Sequence, residues 1–124
     1  MYTRFHIKNI FTKSPKIELL TRQNQVIGST NYSIISHENA IINNIYIEPE
    51  YRKHGDGSRL LNYTEHILRH YHHIKKTKLL AHEPFPCNLT DFFKKNDYVI
   101  SSENYNLYDD GITLFKLVPM HKYL

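Results

Sequence analysis

Seven consecutive residues, Arg52-Lys53-His54-Gly55-Asp56-Gly57-Ser58, set basic side chains and two glycines immediately before a helical pattern. Ile45-Tyr46-Ile47 precedes them as the end of a strand, and Glu48-Pro49-Glu50 stops that strand, because proline cannot donate to a ladder. Downstream, Leu60, Leu61, Thr64, Ile67, Leu68 and Tyr71 recur at three- and four-residue spacings and build one apolar helix face. A strand that feeds a glycine turn into a helix aims several backbone N–H groups and the positive helix end at one point. Such a turn binds phosphate without needing particular side chains. A Walker loop requires Gly-Lys-Ser/Thr, whereas Gly57 is followed by Ser58-Arg59. A dinucleotide fingerprint requires a third glycine where Leu60 stands. What remains is Arg52-x-x-Gly55-x-Gly57, a pattern that a structural turn carrying a solvated basic residue also satisfies.

Two other groups of residues invite chemistry. His66, His70 and His73 fall at helical spacings that can converge on a metal. No further ligand or supporting shell accompanies them, and they read as a solvated polar face with Glu65, Arg69 and His72. Cys87 is the only cysteine, so no intrachain disulfide forms and a reducing compartment follows. In Pro84-Phe85-Pro86-Cys87 it lacks the surroundings of a thiol nucleophile and reads as a buried, inert thiol.

The elements that position these residues must come from a single domain spanning 1–124. Hydrophobic content of 40% and charged content of 23% suit a folded globular chain. The net charge of +4 admits an anionic partner, but the basic residues are not gathered with aromatics as nucleic-acid binding needs. No apolar run approaches the roughly 20 residues of a membrane span. The N-terminal segment carries Arg4, Lys8, Lys13 and Lys16 without an acid, faintly like a transit peptide, but has no apolar core or cleavage site. A cytoplasmic protein with no membrane or nucleic-acid partner is expected.

Alternation predicts strands over residues 3–8 and around Ile17 and Leu19. A third covers Val26 to Ile35, with Val26, Gly28, Thr30, Tyr32 and Ile34 on one face, and a fourth covers Ala40 to Ile47. Short polar turns at Gln23-Asn24-Gln25 and Ser36-His37-Glu38-Asn39 make the last three of these an antiparallel meander. After the helix, Lys75-Lys76 sit where cations complement its negative end. Leu79-Leu80-Ala81 forms a fifth strand, parallel to the fourth through a right-handed crossover. Asn88 or Thr90 caps a shorter helix that runs through Lys95. Tyr98 to Ile100 and Ile112 to Val118 are the sixth and seventh strands, separated by a polar loop closed by Asp110-Gly111. The class is α+β: a mixed seven-stranded sheet with two main helices, α/β/α-like in its three layers.

On these elements Arg52-x-x-Gly55-x-Gly57 resembles the pyrophosphate-binding motif of the GNAT superfamily of N-acetyltransferases, Gln/Arg-x-x-Gly-x-Gly/Ala. Phe92-Phe93-Lys94-Lys95-Asn96-Asp97-Tyr98 resembles that family's Phe-Tyr-x-Lys-x-Gly-Phe at the end of its last helix. The resemblance covers roughly residues 16–118 and implies acetyl-CoA as co-substrate, lying in a V-shaped opening between the fourth and fifth strands. It implies that the backbone of Ile45, Tyr46 and Ile47 pairs with the pantetheine. The amides of Lys53, His54, Gly55, Asp56, Gly57 and Ser58 then hold the pyrophosphate, and Arg52, Lys53 and Arg59 add charge. An amine attacks the thioester directly, with a strand-four amide stabilising the oxyanion.

Three departures from the family pattern bear on function. Roughly seven residues join the first two strands, where the family inserts one or two helices. The acceptor side is therefore expected to be open, to a macromolecule or to a second subunit of a homodimer. Asp56 replaces an apolar residue, and a carboxylate beside pyrophosphate is repulsive unless it is paired or turned away. Phe93 stands within the cofactor-binding set where the family often has the tyrosine that protonates the leaving thiolate. No carboxylate lies on the fourth strand. That leaves His82 and Glu83 at the end of the fifth strand as candidate bases, against the reading of a polar strand end. Tyr46 is a substitute acid, or simply one of ten tyrosines packed in the fold. Glu103, Asp109 and Asp110 could attract a cationic amine or be solvated loop acids. Two functions follow: acetyl transfer to a primary amine on a small molecule or protein, or a non-catalytic module that binds coenzyme A or a partner protein.

Overall fold

The computed structural model describes residues 3–84, 89–101, 106–109, 111–112 and 114–124. Asn88, Cys87, Glu103 and Asp110 lie outside the described residues, as does the side chain of Glu83. The fold has the α+β class and the two main helices expected, and seven of its strands match those read from sequence. The described residues group into two compact units, Met1–Thr77 with Leu124 and Lys78–Tyr123.

The first unit is an antiparallel ladder of β1 (Thr3–Lys8), β2 (Lys16–Thr21), β3 (Val26–Ile34) and β4 (Asn39–Ile47). The turns fall where polar residues predict them. Asn24 is left-handed (φ 67°) between β2 and β3, and the amides of Ile35 and Ser36 reach the Asn39 carbonyl before β4. Helix α1 (Asp56–His70) covers this ladder, burying Leu60, Leu61, Thr64 and Leu68 with Ile17, Leu19, Ile27, Tyr32 and Ile42. Each of the leucine and isoleucine side chains stabilises by about 1.5–3 kcal/mol through the area it removes from water.

Several expectations change in this unit. Leu19 faces Gly28 but Leu20 faces Val26, so Ile27 is an extra, bulged residue on β3. The bulge breaks the alternation: Ile27 is fully buried, and Val26, expected to share a face with Gly28, Thr30 and Tyr32, is 40% exposed while those three are buried. Glu65 belongs to the buried side of α1 rather than to a solvated face. The helix ends at His70, so Arg69 and His70 occupy its last turn, while Lys75 pairs with Glu38 at 3.2 Å.

The second unit holds most of β5 (Lys76–Pro84), then α2 (Leu89–Lys95), β6 (Val99–Ile100), β7 (Asn106–Asp109) and β8 (Leu114–Tyr123). Both β6 and β7 pair antiparallel with β8. β7 occupies what the sequence presents as a polar loop. It closes a hairpin in which the Gly111 amide donates to the Asp109 carboxylate at 2.8 Å. Thr90 lies buried within α2 rather than at its cap. After α2, Asp97 takes the left-handed conformation (φ 71°) and the Tyr98 amide returns to the Phe93 carbonyl. That helix stop needs a positive φ at the position where the resembling motif has glycine, and a short polar side chain tolerates it.

Candidate functional site

The exposed end of β4 is made by a second bulge. Asn31 faces Asn44 and Tyr32 faces Ile42, so Asn43 has no residue opposite it. Ala40 and Ile42 are buried, whereas Asn43, Asn44 and Tyr46 face outward and Ile45 and Ile47 are half-buried. The Asn43 side chain donates through Nδ2 to Ser33 Oγ at 2.9 Å, and the Thr30 hydroxyl donates to the Asn44 backbone carbonyl, which pins the kink. A bulge bends the strand and breaks the ladder locally, leaving backbone groups for another partner. Its one sequence signal is the Asn43-Asn44 pair inside a β-branched run, since asparagine is depleted from strands.

Gly28 sets how closely β3 approaches this segment. A Cβ there would lie 2.5 Å from Ile47 Cδ1 and 3.1 Å from the Tyr46 carbonyl oxygen. Only glycine lets β3, β4 and the Leu60 side chain meet without a shift.

From Ile47 the chain passes through a 3₁₀ turn, Pro49–Tyr51, into the glycine turn. Arg52 is extended and folds back: its Nε donates to the Ile47 carbonyl at 2.8 Å, and its guanidinium lies 5.4 Å from the centre of the Tyr46 ring. Tyr46 is thus 47% exposed and covered by a cation, not packed in the core. Lys53 (φ 66°) and Gly55 (φ 84°) are both left-handed, and Lys53, His54 and Gly55 are exposed. Gly55 is the N-cap of α1, without a side-chain cap, and nothing would crowd a Cβ on it. Its glycine serves backbone conformation rather than space.

The helix begins at Asp56, three residues ahead of the expected start, so Gly57 and Ser58 lie in its first turn. The first helical bond runs from the Arg59 amide to the Gly55 carbonyl at 3.0 Å. The amides of Asp56 and Gly57 therefore lie ahead of the helical ladder, at the positive end of the macrodipole. Left-handed residues before a helix start are the backbone geometry that gathers N–H groups around an anion.

The Asp56 carboxylate does not face this opening. It is 7% exposed and bonded to Arg59 Nη1 at 2.9 Å. Arg59 also donates through Nη2 to Thr3 Oγ1 at 2.7 Å and lies 5.8 Å from the centre of the Phe5 ring. Phe5 in turn stacks on Tyr63 with ring centres 4.1 Å apart.

The other predicted residues are placed as follows. On β5, Leu79 and Ala81 are buried and alternate with exposed Lys78, Leu80 and His82, so His82 points outward from the strand. Phe93 is 4% exposed, with the rings of Phe92 and Tyr98 at 5.1 and 5.7 Å. His66 and His70 are neighbours with ring centres 4.5 Å apart, but His73 follows the helix in a left-handed conformation (φ 59°). Among the described residues no three metal-ligating side chains converge. Beyond every motif, buried Tyr32 meets His72 beside an open groove of about 640 Å³ lined by Ile34, Ile35, Ser36, His37, His72 and His73. Among the described residues no helix is long and apolar enough to cross a membrane.

A profile of the acetyltransferase (GNAT) domain matches residues 16–100. No curated protein sequence matches the chain significantly. A GNAT family acetyltransferase from Elizabethkingia anophelis, solved with acetyl-CoA bound, superposes with a TM-score of 0.78 at 13% identity, over 98% of both chains. An aminoglycoside 6'-N-acetyltransferase complexed with coenzyme A gives 0.74 at 14% identity, over 90% of this chain and 73% of that one. A spermidine/spermine N-acetyltransferase from Vibrio cholerae gives 0.72 at 16% identity, over 90% of this chain and 66% of that one. At these identities the likeness is one of fold.

Proposed function

The chain belongs to the GNAT acetyltransferase domain family, and from that premise we propose that it transfers an acetyl group from acetyl-CoA to a primary amine. The observation that carries this reading is the glycine turn between β4 and α1. There two left-handed residues, Lys53 and Gly55, precede helix-start amides that lie ahead of the ladder. The pyrophosphate of acetyl-CoA binds the amides of Lys53 through Ser58, favoured by the helix dipole. Arg52 spends Nε on the Ile47 carbonyl, so its Nη edge is what it offers to a phosphate. The pantetheine adds as a strand along Ile45, Tyr46 and Ile47, on the outward segment beyond the Asn43 bulge.

The amine attacks the thioester carbonyl, a β4 amide takes up the oxyanion charge, and the tetrahedral intermediate expels the thiolate. His82 accepts the amine proton, with Glu83 as the alternative base. Tyr46, held under Arg52, is the candidate proton donor to the thiolate. The polyamine and aminoglycoside acceptors named for two similar folds support an amine acceptor here. The proposed domain is 1–124, and the helix-free connection of residues 9–15 between β1 and β2 supports an acceptor side open to a macromolecule or a second subunit.

The test is calorimetric titration of acetyl-CoA into the protein and into Gly57→Glu. The variant puts bulk and a negative charge where backbone must approach phosphate. It is expected to lose binding while keeping its helical circular dichroism. Unchanged affinity in a folded Gly57→Glu protein would sink the phosphate assignment.

A further inference from the structure

We propose that Arg59 is a positioning residue for the phosphate turn: it holds the Asp56 carboxylate away from the bound phosphate and ties β1 to the first turn of α1. The inference rests on the phosphate-turn reading above and assigns Arg59 a role different from that of a phosphate ligand. By sequence Arg59 is one more cation beside the turn. In the structure its guanidinium is already engaged on three sides: Asp56 at 2.9 Å, Thr3 at 2.7 Å and the face of Phe5 at 5.8 Å.

The chemistry explains why this matters. Asp56 supplies one of the helix-start amides that an anion would use, yet its own side chain carries a negative charge. A carboxylate left unpaired so close to a pyrophosphate opposes binding by Coulomb repulsion. Burial at 7% exposure turns the carboxylate inward, where an unpaired charge is costly, and Arg59 supplies both the countercharge and the hydrogen bond. The same guanidinium reaches β1, whose Phe5 stacks on Tyr63 one turn further along α1. The helix start is thus braced against the first strand at two levels, by Arg59–Thr3 and by Tyr63–Phe5. Lysine could not reproduce this, because one ammonium lacks the planar fork that serves Asp56 and Thr3 from different nitrogens.

The experiment is calorimetric titration of acetyl-CoA into the wild-type protein and into Arg59→Met, Asp56→Asn, the Asp56→Asn/Arg59→Met double variant and the Gly57→Glu control. Arg59→Met is expected to weaken binding about tenfold or more, because it unmasks the carboxylate. The double variant, with neither charge, is expected to return most of that loss, a rescue that a role limited to bracing Thr3 and Phe5 would not produce. If Arg59→Met does not fold, the double variant decides alone, since neutral partners remove the buried unpaired charge. Affinity there within about threefold of wild type supports the positioning role, and a tenfold loss overturns it. Tighter binding by Asp56→Asn alone also overturns it, since a released Arg59 would then be serving the phosphate. Wild-type affinity in Arg59→Met, with binding lost in Gly57→Glu, refutes the positioning role and leaves the phosphate turn standing. Absence of binding by the wild-type protein, or its persistence in Gly57→Glu, refutes both.

Discussion

The hydroxyl of Tyr32 lies 2.8 Å from Nε2 of His72, joining the middle of β3 to the chain just beyond α1 across 40 positions of sequence. Tyr32 is fully buried, its hydroxyl pKa pushed up to about 12 by burial and by Tyr71. Burial, and then His73, lowers the pKa of His72 below the ordinary imidazole range. His72 is therefore neutral in the folded protein at neutral pH. The pair is a hydrogen bond between uncharged groups.

Its pH dependence has a definite sign. Below the unfolded imidazole value of about 6.5 the unfolded chain binds a proton that folded His72 resists, so this contribution to stability is present above that pH and lost as pH falls. Above the unfolded phenol value of about 10 the unfolded chain releases a proton that folded Tyr32 keeps, so stability falls again toward the folded value of about 12. Thermal midpoints measured from pH 5 to pH 8 are expected to rise with pH, and His72→Phe is expected to flatten that rise. Tyr32→Phe is expected to cost about 1 kcal/mol for the lost bond. An acid limb equally steep in His72→Phe would remove His72 from the explanation.

Gly28→Ala places a methyl 2.5 Å from Ile47 Cδ1 and 3.1 Å from the Tyr46 carbonyl. Overpacking of this kind costs about 1–3 kcal/mol. Because the displaced atoms belong to the outward segment of β4, acetyl-CoA affinity is expected to fall as well. Ile47→Val deletes Cδ1 and is expected to recover part of the stability in the double variant, since contacting residues couple. Strict additivity of the two substitutions in urea denaturation would show that the contact does not limit the packing.

Phe93→Tyr tests the missing acid against the packing observed. At a wet ring edge the added hydroxyl would leave stability almost unchanged. The ring is only 4% exposed, with Phe92 and Tyr98 edge-on around it. A hydroxyl added there is crowded and desolvated, so a loss of about 1–3 kcal/mol and no gain in turnover are expected. A faster Phe93→Tyr enzyme of unchanged thermal midpoint would restore the reading in which this ring edge faces the leaving thiolate.

His82→Asn addresses the proposed base. The side chain points outward from β5, so the substitution leaves the core untouched. Turnover is expected to fall by about 10²–10⁴, the usual worth of a positioned base, while acetyl-CoA affinity in calorimetry stays constant. Unchanged turnover across the pH range would transfer the role to Glu83 or to solvent.

What the sequence determined by itself is the two main helices, seven of the strands and the glycine turn, but not β7. Local rules govern these: alternation for strands, a three-to-four spacing for α1, proline at 49 to stop β4, and glycines that mark a left-handed approach to a helix. The C-terminal stop of α2 was legible for the same reason, although Asp97 and not glycine supplies its positive φ. The tertiary structure decided the bulges at Ile27 and Asn43, because a bulge is a mismatch of register between two strands and neither strand encodes its partner's count; the Asn43-Asn44 pair marks only a weak point in β4. It decided that Glu65 and Asp56 are buried, since periodicity reports the wetter side of a helix and not which polar residue a neighbouring element covers. It alone joined Arg59 to Thr3 and Tyr32 to His72, contacts that exist only once β1 and β3 lie beside α1. Residues far apart in the chain meet through packing, and packing is a property of the whole fold.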